Sequence, residues 1–136
     1  MNIEDIKSSF NYFDDWEDKY RFIIDLGKQL PDLPPIDKTE ERLVRGCQSQ
    51  VWLICELDRN NGRIQLRIDS DAHIVRGLIA IVLAVYDRHS PQFIADFDIE
   101  GLFEALDLMQ HLSATRGNGL RAMVAKIRSL AQASGG

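Results

Sequence analysis

Two alternating apolar segments flank one Asn-Gly turn, and no other stretch restricts the possible folds of this chain as tightly. Val51-Trp-Leu-Ile-Cys-Glu-Leu57 and Arg63-Ile-Gln-Leu-Arg-Ile68 are rich in β-branched and aromatic residues, the composition that suits a pleated, half-buried surface. Arg59-Asn60-Asn61-Gly62 lies between them and supplies residues that tolerate the left-handed backbone of a tight turn. The expectation is an antiparallel β-hairpin. In its first strand Val51, Leu53, Cys55 and Leu57 alternate with Trp52 and Ile54. Both faces are therefore apolar, a neighbouring element must cover the strand, and a helix is the expected cover.

Helical periodicity surrounds the hairpin on both sides. Ile3, Ile6, Phe10 and Phe13 recur at helical spacing, which predicts a short amphipathic helix over 3–13. Asp14 or Asp15 then caps a second helix over 16–30, with Trp16, Tyr20, Ile23, Ile24 and Gly27 near one face. Pro31-Asp-Leu-Pro-Pro-Ile-Asp37 has three prolines within five residues, so it reads as an extended connector. Thr39 opens one further helical turn through Leu43. After the hairpin, Asp69-Ser70-Asp71 is expected to cap a central buried helix over 74–86 and to shape its neighbouring surface. Ser90-Pro91 starts a short helix with Pro at its first position. Helices over 99–112 and 120–131 follow, with 113–119 as a turn and N-cap between them. The fold class is α+β, a small antiparallel sheet with helices before and after it, in a single domain over residues 1–136.

Composition narrows the function. The chain has 136 residues, 45% hydrophobic and 27% charged, the balance of one domain that buries its own core. Its 21 acids against 16 bases give a net charge of −5, which argues against nucleic acid or an anionic membrane surface as partner. The longest apolar stretch, 77–86, is too short to span a bilayer, and the N-terminus has neither the basic nor the apolar region of a secretory signal. A cytoplasmic location is the expectation. Charge is uneven along the chain: residues 1–18 hold six acids and one Lys, and residues 108–136 hold four bases and no acid. Solvated helix faces that complement each other are the plain explanation.

The two cysteines, Cys47 and Cys55, are eight positions apart, which matches neither a disulfide framework nor a CxxC motif. Cys47 stands in Val44-Arg-Gly-Cys-Gln-Ser-Gln50, a polar loop with a glycine beside the thiol. Unpaired cysteines are usually among the most buried residues, so this placement suits a thiol that must be reached. Arg42 and Arg45 are candidates to favour the reactive thiolate. A thiol tucked under the loop as a small hydrophobe is the alternative, and spacing alone leaves both open. Cys55 shares a strand face with apolar residues and reads as inert core.

Other chemistries have weaker signals. A Cys-dependent hydrolase needs an imidazole to take the thiol proton and a third group to orient it; His73, His89 and His111 are available, without a local signature. No His or Cys pair has metal-ligand spacing, and a cluster scaffold typically uses several thiolates where this chain offers only Cys47 for exposure. Arg116-Gly117-Asn118-Gly119 follows no strand, so it is not a phosphate loop. The terminal Ser134-Gly135-Gly136 follows a helix and reads as a frayed tail rather than a carrier terminus.

Four separated blocks resemble the SufE-like cysteine desulfuration family, and the resemblance spans nearly the whole chain. They are Trp16-Glu-Asp-Lys-Tyr20 with Gly27-Lys-Gln-Leu-Pro31; Val44-Arg-Gly-Cys-Gln-Ser-Gln-Val-Trp52; Asp69-Ser-Asp-Ala72 with Val75-Arg-Gly-Leu78; and Leu112-Ser113 with Arg116-Gly-Asn-Gly-Leu120. The resemblance implies a SufE/IscU-like fold in which Cys47 accepts persulfide sulfur from a pyridoxal-phosphate cysteine desulfurase of the SufS or CsdA type. It further implies that the sulfur passes to an iron–sulfur scaffold or another acceptor. The cofactor would then belong to the partner, and this chain would bind none. Family members shelter the cysteine when free and expose it on docking, with which a hinge at Gly46 is compatible. Arg116 matches an arginine the family places near the acceptor loop, where it would orient the loop or stabilise the thiolate. A Cys-dependent hydrolase and a cluster scaffold remain the alternatives.

Overall fold

The hairpin forms where its alternation requires it. In a computed structural model that describes residues 2–135, β1 (Val51–Asp58) pairs antiparallel with β2 (Arg63–Ser70), Val51 opposite Ser70 and Asp58 opposite Arg63. The connection closes on Asp58, whose main-chain oxygen accepts from the Gly62 N–H at 2.8 Å and whose side chain accepts from Asn60 at 2.9 Å. Gly62 takes φ +71° there, a conformation open to glycine without steric cost.

Among the described residues, seven helices surround this two-stranded sheet. Asn2 caps α1 (Ile3–Tyr12) by accepting from the Asp5 N–H, and Asp15 caps α2 (Trp16–Lys28) by accepting from Asp18, both at 2.9 Å. Acids in the first turn of each and Lys28 in the last turn of α2 suit the helix dipole. The central helix α3 (His73–Tyr86) packs against α2 at a glycine pair: a Cβ on Gly27 would lie 2.6 Å from the Gly77 nitrogen, so the contact admits no side chain. Then come α4 (Pro91–Asp96), α5 (Ile99–Ala105), α6 (Leu108–His111) and α7 (Ala114–Gly135). Tyr86, Phe10, Phe103, Ile23, Ile79 and Ile127 are fully buried among them. Among the described residues no helix is long and apolar enough to cross a membrane.

One sheet face, carrying Val51, Leu53, Ile64, Leu66 and Ile68, joins the main core, with Cys55 and Leu57 packed against it. That face lies on α3 and α7, the helical cover the sequence predicts. The opposite face differs. Trp52 and Ile54 are buried by a strap made of the proline-rich connector, through Leu33, and the turn that follows it, through Leu43; 3-10 turns at Pro35–Asp37 and Glu40–Arg42 interrupt its extended course. A strap suffices because three of its residues are prolines with no N–H to satisfy, and because Asp69 accepts the Leu33 N–H at 3.0 Å.

Three further expectations are corrected by the same accounting of polar groups. Asp69, Ser70 and Asp71 do not cap α3, whose N-cap Ala72 makes no side-chain hydrogen bond. The fully buried Asp69 instead receives Arg76, the Ser70 N–H at 2.8 Å and Lys38 at 3.5 Å, fastening the strap to the end of the hairpin. The single helix expected over 99–112 is broken at Asp107, which adopts φ +54°. Finally, α7 begins six residues earlier than its apolar pattern suggests: Ser113 accepts from the Arg116 N–H at 3.2 Å, so 114–119 are helical. The helix runs to Gly135, and the remainder of the expected frayed tail, Gly136, lies outside the described residues.

Candidate functional site: a sheltered thiol on a pinned loop

The loop 45–50 is closed at both ends. Upstream, Val44 leaves the strap and donates its N–H to the Val51 oxygen at 2.8 Å. Downstream, Gln50 and Asp71 exchange two bonds: the Gln50 N–H reaches the Asp71 carboxylate at 3.1 Å and the Asp71 N–H reaches the Gln50 oxygen at 3.3 Å. Between these clasps Gly46 turns the chain at φ +90°, where an L side chain would be strained and its Cβ would press on that of Ala122 at 3.2 Å.

This turn directs Cys47 at α7. Its thiol donates to the main-chain oxygen of Gly119 at 3.4 Å, and a Cβ on Gly119 would sit 3.5 Å from the sulfur. The thiol borders a cavity of about 80 Å³ whose apolar side is formed by Val51, Val75, Leu78, Leu120 and Met123 and whose polar side by Gln48, Ser49 and Thr115. Half-buried in this lining, Cys47 has its pKa pushed up by desolvation, because burial penalises the thiolate. Arg42 and Arg45 do not offset this. Arg42 is engaged by Asp37 at 3.0 Å, and neither arginine is among the residues lining the cavity. These surroundings favour the protonated thiol over the thiolate.

Arg116 does reach the site. It lines the Cys47 cavity with Thr115, is solvent-exposed, and its guanidinium makes no ion pair among the described residues. The histidines are elsewhere. His111 stacks on Trp16 with centroids 4.3 Å apart, His89 stacks on Phe93 at 4.0 Å, and His73 is exposed at the start of α3. None lines the cavity, whose walls also lack a carboxylate. Cys55 is half-buried against the core, its thiol raised by desolvation and by Glu56. No group of three metal-ligating side chains occurs among the described residues.

Gly119 as the floor under the thiol and Asp71 as the clasp of its loop go beyond what the sequence predicts. A signal for the first was present: Arg116, Leu120 and Met123 recur at helical spacing, and all three line the cavity. The two glycines in this stretch give close approach, not a turn, since Gly117 faces the Met109 sulfur as Gly119 faces Cys47.

The family model for SufE, described as an Fe-S metabolism associated domain, matches residues 4–131. The chain belongs to the SufE family. That places it in iron–sulfur metabolism, where SufE proteins work with cysteine desulfurases. An uncharacterized SufE-like protein of Rhizobium meliloti is 42% identical over 133 residues, covering 96% of this chain and 95% of the relative. Another, from Rhizobium etli, is 46% identical over 133 residues, covering 96% and 90%. In fold, the chain is similar to the solution structure of a hypothetical protein from Thermus thermophilus, with a TM-score of 0.77, 16% identity, and coverage of 97% and 94%.

Proposed function

We propose that this SufE protein is a sulfur acceptor and that Cys47 is its acceptor atom. In the transfer, the Cys47 thiolate attacks the outer sulfur of a persulfide on the desulfurase's own cysteine. The Cys47 S–S bond forms as the donor S–S bond breaks, and the donor cysteine leaves as its thiolate. Electrons balance without an added oxidant, because the step is thiol exchange in form. The same exchange then hands the sulfur to a recipient thiol in iron–sulfur assembly. Pyridoxal phosphate belongs to the desulfurase; this chain contributes the thiol and no cofactor.

The observation that carries this reading is the Cys47 thiol turned against Gly119 beside a largely apolar cavity. A water takes up about 30 Å³ of liquid, so the cavity of about 80 Å³ has room for the added sulfur atom. An exposed thiol or persulfide is open to oxidation up to irreversible states, and shelter restricts that. Attack requires the thiolate, which burial disfavours, so docking must draw the loop outward. The Gly46 hinge and the two polar clasps are where such motion is permitted and opposed. Arg116 is assigned to hold the thiolate or persulfide anion beside the cavity.

A hydrolase is favoured by no observation, since the cavity walls carry neither imidazole nor carboxylate to take the thiol proton. The experiment is desulfurase turnover of free cysteine with this protein, with Cys47→Ser, and with neither. Stimulation by the native chain alone supports the acceptor role. Equal stimulation by Cys47→Ser, or none by either, contradicts it.

A further inference from the structure

Beside the acceptor loop runs a second depression, separate from the thiol cavity. It is a groove of about 400 Å³ with Leu43, Val44, Ala122 and Ala125 as its apolar floor and Arg45 and Lys126 as its charged members. It shares Ala122 with the contact under Gly46, and Val44 and Arg45 immediately precede the hinge. Whatever lies in the groove therefore touches the upstream arm of the Cys47 loop.

The charge of this surface is opposite to that of the whole chain. Lys126 is exposed and forms no ion pair among the described residues. Arg45 faces Glu40 at 3.9 Å with both side chains about four-fifths exposed, a separation and exposure at which a pair contributes little. Arg116 adds a third exposed cation at the thiol cavity. No acid occurs from 108 to 136, although the chain carries a net charge of −5. The six acids of residues 1–18 lie in α1, the start of α2 and their connection, and none of these residues lines the groove or the cavity. An acidic partner is attracted to the acceptor side and repelled by the molecule's remaining charge, an arrangement that orients encounter.

We propose that this groove docks an acidic segment of the desulfurase, its carboxylates paired with Arg45 and Lys126 and its apolar side chains on Leu43, Ala122 and Ala125. The assignment rests on the acceptor reading of Cys47 and adds the chemistry of the surface that delivers the donor. Contact at Val44 and Arg45 couples occupancy of the groove to the hinge that releases the thiol.

The test loads Cys47 in two ways, with cysteine persulfide as a small donor and with a pyridoxal-phosphate desulfurase of the same organism plus cysteine, at low and moderate salt. Variants are Lys126→Glu and Arg45→Glu/Lys126→Glu. The ratio of desulfurase-driven to small-donor loading is expected to fall roughly tenfold in the double variant, through a raised KM for the acceptor, and the native chain to show a salt sensitivity that the variant lacks. An unchanged ratio and salt dependence overturns the docking surface while leaving Cys47 as acceptor. Failure of the native chain to gain sulfur from either donor overturns the acceptor reading itself. Salt-sensitive self-association that Lys126→Glu abolishes would put a second copy in the groove, and overturns the proposal too.

Discussion

The Cys47 sulfur lies 3.4 Å from the main-chain oxygen of Gly119, and a Cβ on Gly119 would be 3.5 Å from that sulfur. The shelter of the thiol is thus a contact between one side chain and a helix stripped of its own. A single methyl group fits at that distance, and a branched side chain does not.

Gly119→Val should consequently expel the thiol without unfolding the protein, since valine gains helix propensity over glycine while overpacking the contact. About 1 kcal/mol of strain shifts the sheltered-to-exposed balance roughly fivefold. Alkylation of Cys47 by iodoacetamide, followed by mass spectrometry, reads this directly. A rate equal to that of the native chain would show that Gly119 does not gate the thiol.

Burial pushes the Cys47 pKa upward, so the folded state holds the proton to higher pH than the unfolded state. The associated stability is fully present below the unfolded thiol pKa and is lost as pH rises through the folded one. Cys55 shifts the same way, so a Cys55→Ala background isolates Cys47. In that background the pH midpoint of alkylation should lie above that of the same chain in urea. A midpoint at or below the urea value would mean that a cation does stabilise the resting thiolate.

The clasp between Gln50 and Asp71 closes the downstream end of the loop. Asp71→Ala removes one of its two hydrogen bonds, which costs about 1 kcal/mol. The expected result is a small drop in Tm with faster amide hydrogen exchange over 45–50 and faster alkylation of Cys47. Exchange confined to α3 would instead mark Asp71 as a helix cap.

Arg116 lines the cavity from an exposed position, and its guanidinium makes no ion pair among the described residues. Arg116→Ala should slow sulfur transfer several-fold at unchanged Tm, with Arg116→Lys recovering part of the rate. Loss of folding in Arg116→Ala would reduce it to a structural residue.

Much of this was legible in local chemistry. The Asn-Gly turn, the apolar spacing of Ile3, Ile6 and Phe10, the Asp15 cap, and Ser90-Pro91 all act through neighbours within four residues, so α1, α2, α4 and the hairpin lie close to where the sequence predicts them. The departures have long-range causes. Asp69 looks like a cap beside α3, but it serves Leu33 from 36 positions away. Gly119 looks like a turn residue until Cys47, 72 positions away, occupies the space its missing side chain leaves. Arg45 and Arg42 are near Cys47 in sequence, yet Asp37 engages Arg42 and Arg45 lies in the neighbouring groove, so neither lines the thiol cavity. Cys47 itself is conspicuous because a thiol in a polar glycine loop conflicts with the usual burial of cysteine; the helical spacing of Arg116, Leu120 and Met123 marks one face of α7, but that the Cys47 loop packs on that face is a matter of tertiary structure.

If Cys47 is the acceptor, sulfur drawn from free cysteine comes to rest on it. Intact mass spectrometry of the chain after incubation with a pyridoxal-phosphate cysteine desulfurase and free cysteine, with peptide mapping, tests it most directly. The expected result is a gain of one sulfur atom, carried by the peptide containing Cys47 and lost in Cys47→Ser. Sulfur on Cys55, or an unchanged mass while the desulfurase turns over, would contradict it.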